Sequence, residues 1–372
     1  MFSEKNDYGK KEIVSGEIDT LDIKAQESAD YQLFNIADYG LKGDCFLTAT
    51  IHQKKDTLWA EKGYELGFLQ FEIDCENAIC EKTENNITLT QTDRLANIIC
   101  GDTEYVFDKT YGRIVSIKKD GADIITEPVK FKMWHAPTYN EGSMKDWYMN
   151  HLHRIYQKTY SAKVTENSDC VVIETKIALG GAANPPIIKM NVNYTFTTDG
   201  AVKVDVTGDI RETAPLLPRL GLELILPEDN ESVTYFGLGE TETYPDRYKA
   251  ARYGEYTLNV NDDFVHYVRP QENSNHFKTR RVAIGKENGA GLFVTGTGTA
   301  KEFSFHASHI SAEQLTEVKH DFELKNEPRT IFNIDGRFNA ISEDTQLDND
   351  ENNRRFDEKQ VDFGFIIKPV KL

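Results

Sequence analysis

The stretch IIKMNVNYTFTTDGAVKVDVTGDI at residues 187–210 decides the fold. Ile188, Met190, Val192, Tyr194 and Phe196 alternate with Lys189, Asn191, Asn193 and Thr195. Side chains of a strand point to opposite faces in turn, so this spacing gives one apolar face and one polar face. Asp199-Gly200 breaks the pattern, and alternation resumes at Val202, Val204 and Val206. An Asp-Gly pair between two alternating runs is the chemistry of a tight antiparallel hairpin.

The same period extends outward. VVIETKIAL (171–179), ITLTQ (87–91), RLANIIC (94–100) and RVAIG (281–285) read as strands, and GRIVSIKKDG (112–121) runs into a second Asp-Gly turn. Helical signals are few. Ser311 to Gln314 has the capping-box pattern, with Leu315 and Val318 on one face, and residues 144–157 hold a second candidate. Many short strands and few helices predict an all-β chain built as a large antiparallel β-sandwich. There are no βαβ units, so a TIM barrel or Rossmann sheet is excluded, and no internal repeat is visible. CEKTENN (80–86) interrupts the strand pattern and predicts a boundary. Before it, YQLFNI (31–36), CFLTATIHQ (45–53) and FLQFEI (68–73) read as strands of a smaller sandwich.

Composition narrows the function classes. The 17 Tyr and 20 Phe against 5 Met favour strands. A formal net charge of −18 argues against nucleic acid and anionic membrane surfaces, both polyanions. Cys45, Cys75, Cys80, Cys100 and Cys170 are odd in number, irregularly spaced and without a CxxC pair, which favours free thiols in a reducing compartment over a disulfide framework or zinc site. MFSEKNDYGKK lacks the apolar region of a secretory signal, and no apolar run nears the ~18 residues of a membrane span. A cytoplasmic location is expected.

YFGLGETETYPDR (235–247) and YVRPQENSNHFKTRR (267–281) together resemble the signature of the C-terminal domain of family-two glycoside hydrolase beta-galactosidases, which also exists as a small subunit of two-chain enzymes. LPRLGLELILP (217–227), MWHAPTYNE (133–141), FHASHISAEQLTEVKH (305–320) and FNIDG (332–336) resemble flanking parts of that domain, so the likeness covers most of the chain. It implies a galactose-mutarotase-like sandwich over 86–372, preceded at 13–80 by part of an immunoglobulin-like domain, with 1–12 unplaced. It also implies that the catalytic glutamates lie on a barrel outside this chain. The expected partners are that barrel, in cis or as a large subunit, a beta-galactoside or lactose, and a second copy in a homo-oligomer. No cofactor is expected here; a divalent metal would belong to the catalytic domain.

The residues carry a physical reading of their own. Gly237 and Gly239 permit a bulge or bend at a strand end. Tyr244-Pro245 fixes an extended turn, which Asp246 and Arg247 can anchor through charge-assisted hydrogen bonds. Arg269, Gln271, Glu272 and Asn273 gather polar groups around Pro270. Two readings stand side by side. These residues tie loops together, or Glu242, Tyr244, Asp246, Arg247, Arg269, Gln271, Glu272, Asn273 and His135 line a rim that faces substrate or the catalytic domain. A retaining glycosidase needs two carboxyls about 5 Å apart. Glu240, Glu242 and Asp246 are the local candidates, but the resemblance places those roles elsewhere, so no catalytic residue is expected in this chain.

The alternatives are a stand-alone carbohydrate-binding or structural module and, further off, a mutarotase-like epimerase drawing on His135, His153, His266, His276 and Glu272. Extended backbone would put His151 and His153 on one face, without a third ligand for a metal. LDNDENN (347–353) lacks the glycine and terminal glutamate of a calcium loop and reads as solvated. Many relatives place a sugar-stacking tryptophan near the C-terminus; this chain has none there, and Phe338 and Phe356, the apolar residues available for stacking, do not occupy a matching motif position. Glu240, Thr243, His135 and Tyr139 also depart from the family's usual proline, asparagine, arginine and aspartate.

Overall fold

The computed structural model describes residues 14–18, 23–24, 26–32, 35–73, 86–297, 301–342 and 355–372. The segment 1–12, Cys75, Cys80, nearly all of CEKTENN and the acidic stretch 347–353 lie outside the described residues. The chain divides into two compact units, Met1–Lys82 and Thr83–Leu372.

In the first unit, β1 (Cys45–His52) pairs antiparallel with β2 (Glu65–Ile73). YQLFNI is not a strand where it is described. Tyr31 and Gln32 lie outside any strand, and Ile36 opens a 3-10 turn, Ile36–Tyr39, because Asn35 Oδ1 accepts Ala37 N at 3.3 Å and caps it.

The regular structure of the second unit is mostly antiparallel sheet. A first group of strands is β3 (Ile87–Gln91), β4 (Leu95–Cys100), β5 (Thr103–Asp108), β6 (Arg113–Lys119) and β7 (Ala122–Asp123), followed by β8 (Lys130–Lys132). The long strands come next: β9 (Tyr156–Glu166), β10 (Cys170–Gly180), β11 (Ile188–Thr197), β12 (Val202–Ile210), β13 (Arg219–Pro227), β14 (Ser232–Gly239) and β15 (Arg252–Asn259). The last are β16 (Asn275–Thr279), β17 (Arg281–Gly285), β18 (Ala290–Thr297), β19 (Phe303–Ser308), β20 (Arg329–Phe338) and β21 (Gln360–Lys371). Nine form one sheet in the order β15-β14-β17-β18-β21-β12-β11-β10-β9, beside two five-stranded sheets, β3-β4-β5-β6-β7 and β16-β19-β20-β13-β8.

The register explains the layering. Phe196 faces Val202, Tyr194 faces Val204 and Val192 faces Val206 across the hairpin that Asp199-Gly200 turns, with Gly200 at φ 79°. Ile367, Phe365 and Phe363 continue those rows on β21. Opposite residues share a face, so one apolar surface runs across the large sheet. Both small sheets pack on it: Phe196 and Tyr194 meet Tyr105 and Phe107 at ring distances of 5.0 and 4.9 Å, and Phe365 meets Phe303 at 5.7 Å. Burying each such side chain contributes roughly 1.5–3 kcal/mol.

Among the described residues, two α-helices interrupt the sheets. α1 (Met144–Met149) is shorter than the 144–157 expected: His151 at φ 58° ends the run, a 3-10 turn covers Leu152–Arg154, and β9 follows. His151 and His153 are therefore not on one extended face, and their rings sit 6.3 Å apart and nearly perpendicular. α2 (Ala312–Glu317) begins at Ser311, whose hydroxyl accepts Gln314 N at 3.3 Å.

Candidate functional site

The five-stranded sheet containing β13 and β20 has two unlike faces. Leu222, Leu224, Phe305, Phe332 and Ile334 enter the main core. The other face is polar: Asn275, His306, Asn333 and Glu223 follow one another across four strands, and Asp335 lies two residues along β20. Asn275, His306, Asn333 and Asp335 are all buried, because loops close over this face. The loops carry a small core of their own, Ala136, Ile310 and Leu315 with Phe264 and Leu324. Lys132 ties the sheet to α2 through Glu223 at 2.9 Å and Glu313 at 2.8 Å.

Arg219 and Asp335 form the centre. Arg219 Nε donates to Asp335 Oδ1 at 3.0 Å and Nη2 donates to Oδ2, a two-pronged pair with both side chains almost wholly buried. Gly221 makes this reachable. It opposes Asp335 just past a register shift in β13, and a Cβ there would fall 2.4 Å from Asp335 Oδ1 and 2.1 Å from Ile334 O. His135 Nε2 lies 3.1 Å from Glu141 Oε1, and both side chains are sealed from solvent. Glu141 Oε2 also accepts Thr138 N at 2.6 Å, so the carboxylate fixes its own loop. Glu272 Oε1 is 3.9 Å from Arg219 Nη1.

The cluster thus sets three carboxyls against Arg219 and His135. Burial lowers the His135 imidazolium, but Glu141 outweighs it and holds the pKa above the usual histidine value. Burial raises the Glu272 carboxyl, and His135 and Arg219 only partly offset this. Burial, aided by the positive charge of Arg219, pushes His306 down to about 3, so it is a neutral imidazole.

Of the candidate residues, His135 and Glu272 belong to this cluster, and the others lie on the 240–247 and 264–274 loops. Glu242 accepts Ser274 N at 2.8 Å and Tyr244 Oη at 3.3 Å, and also takes hydrogen bonds from Tyr267 Oη and Arg247 Nη2. Four donors on one carboxylate lock the 240–247 loop to the 264–274 loop. Asp246 accepts Ser342 N at 2.9 Å and Ile341 N at 3.3 Å. Asn273 Oδ1 accepts Ser274 Oγ at 2.6 Å and its amide donates to Gln271 O at 3.0 Å, while Glu272 N donates to Ala136 O at 3.0 Å. Glu242, Tyr244, Glu272, Asn273 and His135 therefore act here as ties, with Tyr244, Glu272, Asn273 and His135 buried; Gln271 and Asp246 are half-buried, and Arg247 and Arg269 are exposed.

Several expectations change. Gly237 lies inside β14, paired to Gly254, whereas Gly239 ends β14 opposite Arg252 and the chain bends directly after it. Close approach demands them, since a Cβ on Gly239 would sit 2.4 Å from Tyr235 Oη and one on Gly237 2.8 Å from Thr279 Cα. Neither phenylalanine is open to stack on a sugar. Phe338 is stacked on His135 with centroids 5.4 Å apart and lies under Arg219, and Phe356 is 1% exposed. Sequence reasoning also passed over Arg219, Asp335 and Glu141. For Arg219 and Asp335 the signal was present: a charge inside an otherwise apolar strand, as in LPRLGLELILP and FNIDG, requires a buried partner.

Among the described residues no group of three His, Cys, Asp or Glu side chains is placed to hold a metal, and no helix is long and apolar enough to cross a membrane. Cys100 and Cys170 are free thiols, and burial pushes the Cys100 thiol up to about 12.

Comparison with known proteins adds to this geometry. Residues 100–367 match the family described as "Beta galactosidase small chain", and 4–74 match "Beta-galactosidase, domain 4". A beta-galactosidase of Staphylococcus xylosus is 30% identical over 326 residues, 85% of this chain and 32% of that protein. One from Actinobacillus pleuropneumoniae is 29% identical over 312 residues, 82% of this chain and 30% of that protein. The chain thus spans about a third of the length of these curated relatives. Among solved structures, galactose 1-epimerase from Lactobacillus acidophilus is similar with a TM-score of 0.43 and 8% identity, covering 78% of this chain and 99% of that one.

Proposed function

We propose, from the premise that the chain belongs to the beta galactosidase small chain family, that it supplies the non-catalytic C-terminal portion, or small subunit, of a beta-galactosidase. In this reading residues 13–80 are part of an immunoglobulin-like domain, and 86–372 are the terminal β-sandwich. The sandwich docks on the catalytic barrel and completes the sugar pocket. The barrel supplies both carboxyls for retaining hydrolysis of terminal beta-galactosides, in a cytoplasmic setting.

One observation carries the reading: the family match spans nearly the whole second unit, while the relatives are about three times as long as their matched region. Site chemistry supports it. Of the local carboxyls, Glu242 is held by four donors and Asp246 by two backbone amides, which leaves neither poised for a sugar bond. The loops that carry His135 and Arg269 also bear Tyr139 and Val268, and the 3-10 turn Asp321–Glu323, tied to the second loop by His266 and Asp321, bears Phe322; exposed by 85, 92 and 84%, these are the most open large apolar side chains described in the second unit. With Arg247 and Arg269 beside them, they form the docking rim. Rigid support beneath the rim orients a substrate without touching its bond.

The test is hydrolysis of a chromogenic beta-galactoside by the purified chain, alone and mixed with a folded catalytic-barrel fragment of a matching beta-galactosidase. Activity in the mixture only is expected. Activity of the chain alone, once contaminants are excluded, overturns the non-catalytic role. A silent mixture overturns docking and leaves a binding or structural module.

A further inference from the structure

One loop of the rim, 133–141, is fastened through His135. The side chain is sealed from solvent, stacked on Phe338 of β20 and edge-on to Trp147 of α1, each at 5.4 Å. Both ring nitrogens face acceptors. Nδ1 lies 3.1 Å from Ala136 O, and Nε2 lies 3.1 Å from Glu141 Oε1. A carbonyl oxygen only accepts, so Nδ1 carries a hydrogen. A neutral ring would then turn a lone pair on the carboxylate, so one further proton belongs to the contact between Nε2 and Oε1. Neither of these two atoms has an aligned hydrogen bond, so they meet as charges. The same groups fasten the loop to its surroundings. Ala136 O also accepts Glu272 N at 3.0 Å, Glu141 Oε2 accepts Thr138 N at 2.6 Å, and Thr138 Oγ1 donates to Ile341 O at 2.8 Å.

We propose that the His135–Glu141 pair is a one-proton latch that positions the 133–141 loop. Charged groups converge on His135 from three further elements. The 264–274 loop brings Glu272, β20 brings Asp335 and β13 brings Arg219, whereas α1 brings the uncharged ring of Trp147. Arg219 is engaged by Asp335 through two hydrogen bonds and reaches Glu272 at 3.9 Å. Of these groups, His135 is therefore the cation left for Glu141. With the proton gone, the buried Glu141 carboxylate faces a lone pair, and the loop must move to bring water to it. Burial lowers the His135 imidazolium, and Glu141 and Glu272 more than offset this. The latch is thus set below the ordinary histidine value of 6.5 and opens as pH rises through the folded value. Tyr139, 85% exposed, rides on this loop. The consequence for docking rests on the function proposed above: an open latch displaces Tyr139 from the rim and weakens attachment to the barrel.

Hydrogen exchange on the full 372-residue chain tests the latch without a partner. The reporters are the amides of Thr138 and Glu272, which donate to Glu141 Oε2 and Ala136 O. Their protection, corrected for the intrinsic pH dependence of exchange, is expected to fall between about pH 6 and 9, by up to about tenfold per pH unit. Glu141→Gln removes the need for the proton, because its amide donates to a neutral Nε2 while its carbonyl still accepts Thr138 N. In that variant both amides are expected to keep constant protection. Should the variant disturb the loop, the wild-type ring gives a second readout: the His135 signals in an NMR titration must change at the pH where the amides open. Flat protection in the wild type overturns the latch. So does an equal fall in a folded Glu141→Gln chain, or a His135 titration at a different pH. Binding to the folded catalytic-barrel fragment reads the consequence, with a dissociation constant that rises with pH for the wild type and stays level for Glu141→Gln. Docking that ignores pH while the amides open overturns the link to the rim. Absence of docking at every pH overturns the docking reading alone, and the exchange result still decides the latch.

Discussion

Two hairpins of this chain are alike in sequence and unlike in surroundings. β11–β12 and β1–β2 both pair antiparallel and both present an uncharged face, although β1–β2 also sets Phe46 and Phe68 on its reverse face. The face of β11–β12 is closed: Val192, Phe196, Val202, Val204 and Val206 have no exposure. The face of β1–β2 keeps more than half of Ile51, Leu69 and Phe71 in solvent. Alternation tells that a face needs a cover, and nothing in it names the cover. In the second unit the cover is a sheet that begins about a hundred residues upstream, at β3–β7.

If that contrast is physical, the second unit must be intolerant where the hairpin of the first is indifferent. The largest loss is expected from Asp335→Ala, which strands the buried Arg219 charge and costs about 3–5 kcal/mol. Urea unfolding of the second unit reads it, and a loss below about 1 kcal/mol would sink the view that this pair is desolvated. Next comes a matched pair. Phe196→Ala removes a fully buried ring and costs about 3 kcal/mol, whereas Phe71→Ala trims a ring already half in water and stays within about 0.5 kcal/mol for the dilute chain. Equal losses would erase the contrast.

Glycines sharpen it at smaller scale. Gly221→Ala meets Ile334 O and Asp335 and is expected to cost about 1–3 kcal/mol. Gly67→Ala in β2 meets nothing within 4 Å and is neutral or stabilising by up to about 1 kcal/mol.

The smallest effect is on pH dependence. Burial raises Glu272 above its ordinary carboxyl value of 4.5, so the folded state favours its protonated form. Its contribution is fully present below pH 4.5 and is lost as pH rises through the folded value. His135 acts in the same direction, from 6.5 upward. Glu272→Gln should therefore flatten the decline of melting temperature with rising pH. An unchanged slope would show that Glu272 is not the group responsible.

Much was legible in the residues alone. Alternation and Asp-Gly placed β11, β12, β3, β6 and β17, and the Ser311 box placed α2, because these depend on a few adjacent side chains and local backbone bonds. The motif at 235–247 singled out Glu242, Tyr244, Asp246 and Arg247 as candidates. It did not show that Glu242 binds Ser274 and Tyr267, or that His135 meets Glu141 beneath the same loops, since those partners are remote in the chain or buried by remote elements. Arg219 and Asp335 stand 116 residues apart and meet only because β13 and β20 are neighbours across a shifted register.

By itself, the sequence determined the period, the turns, the caps and the family, all set by nearest neighbours and by the order of residues. Only the tertiary structure decided which faces were closed, which charges were paired away from water, and which candidate residues became ties. Burial and desolvation depend on what the rest of the chain brings into contact, and a linear pattern does not encode that distance.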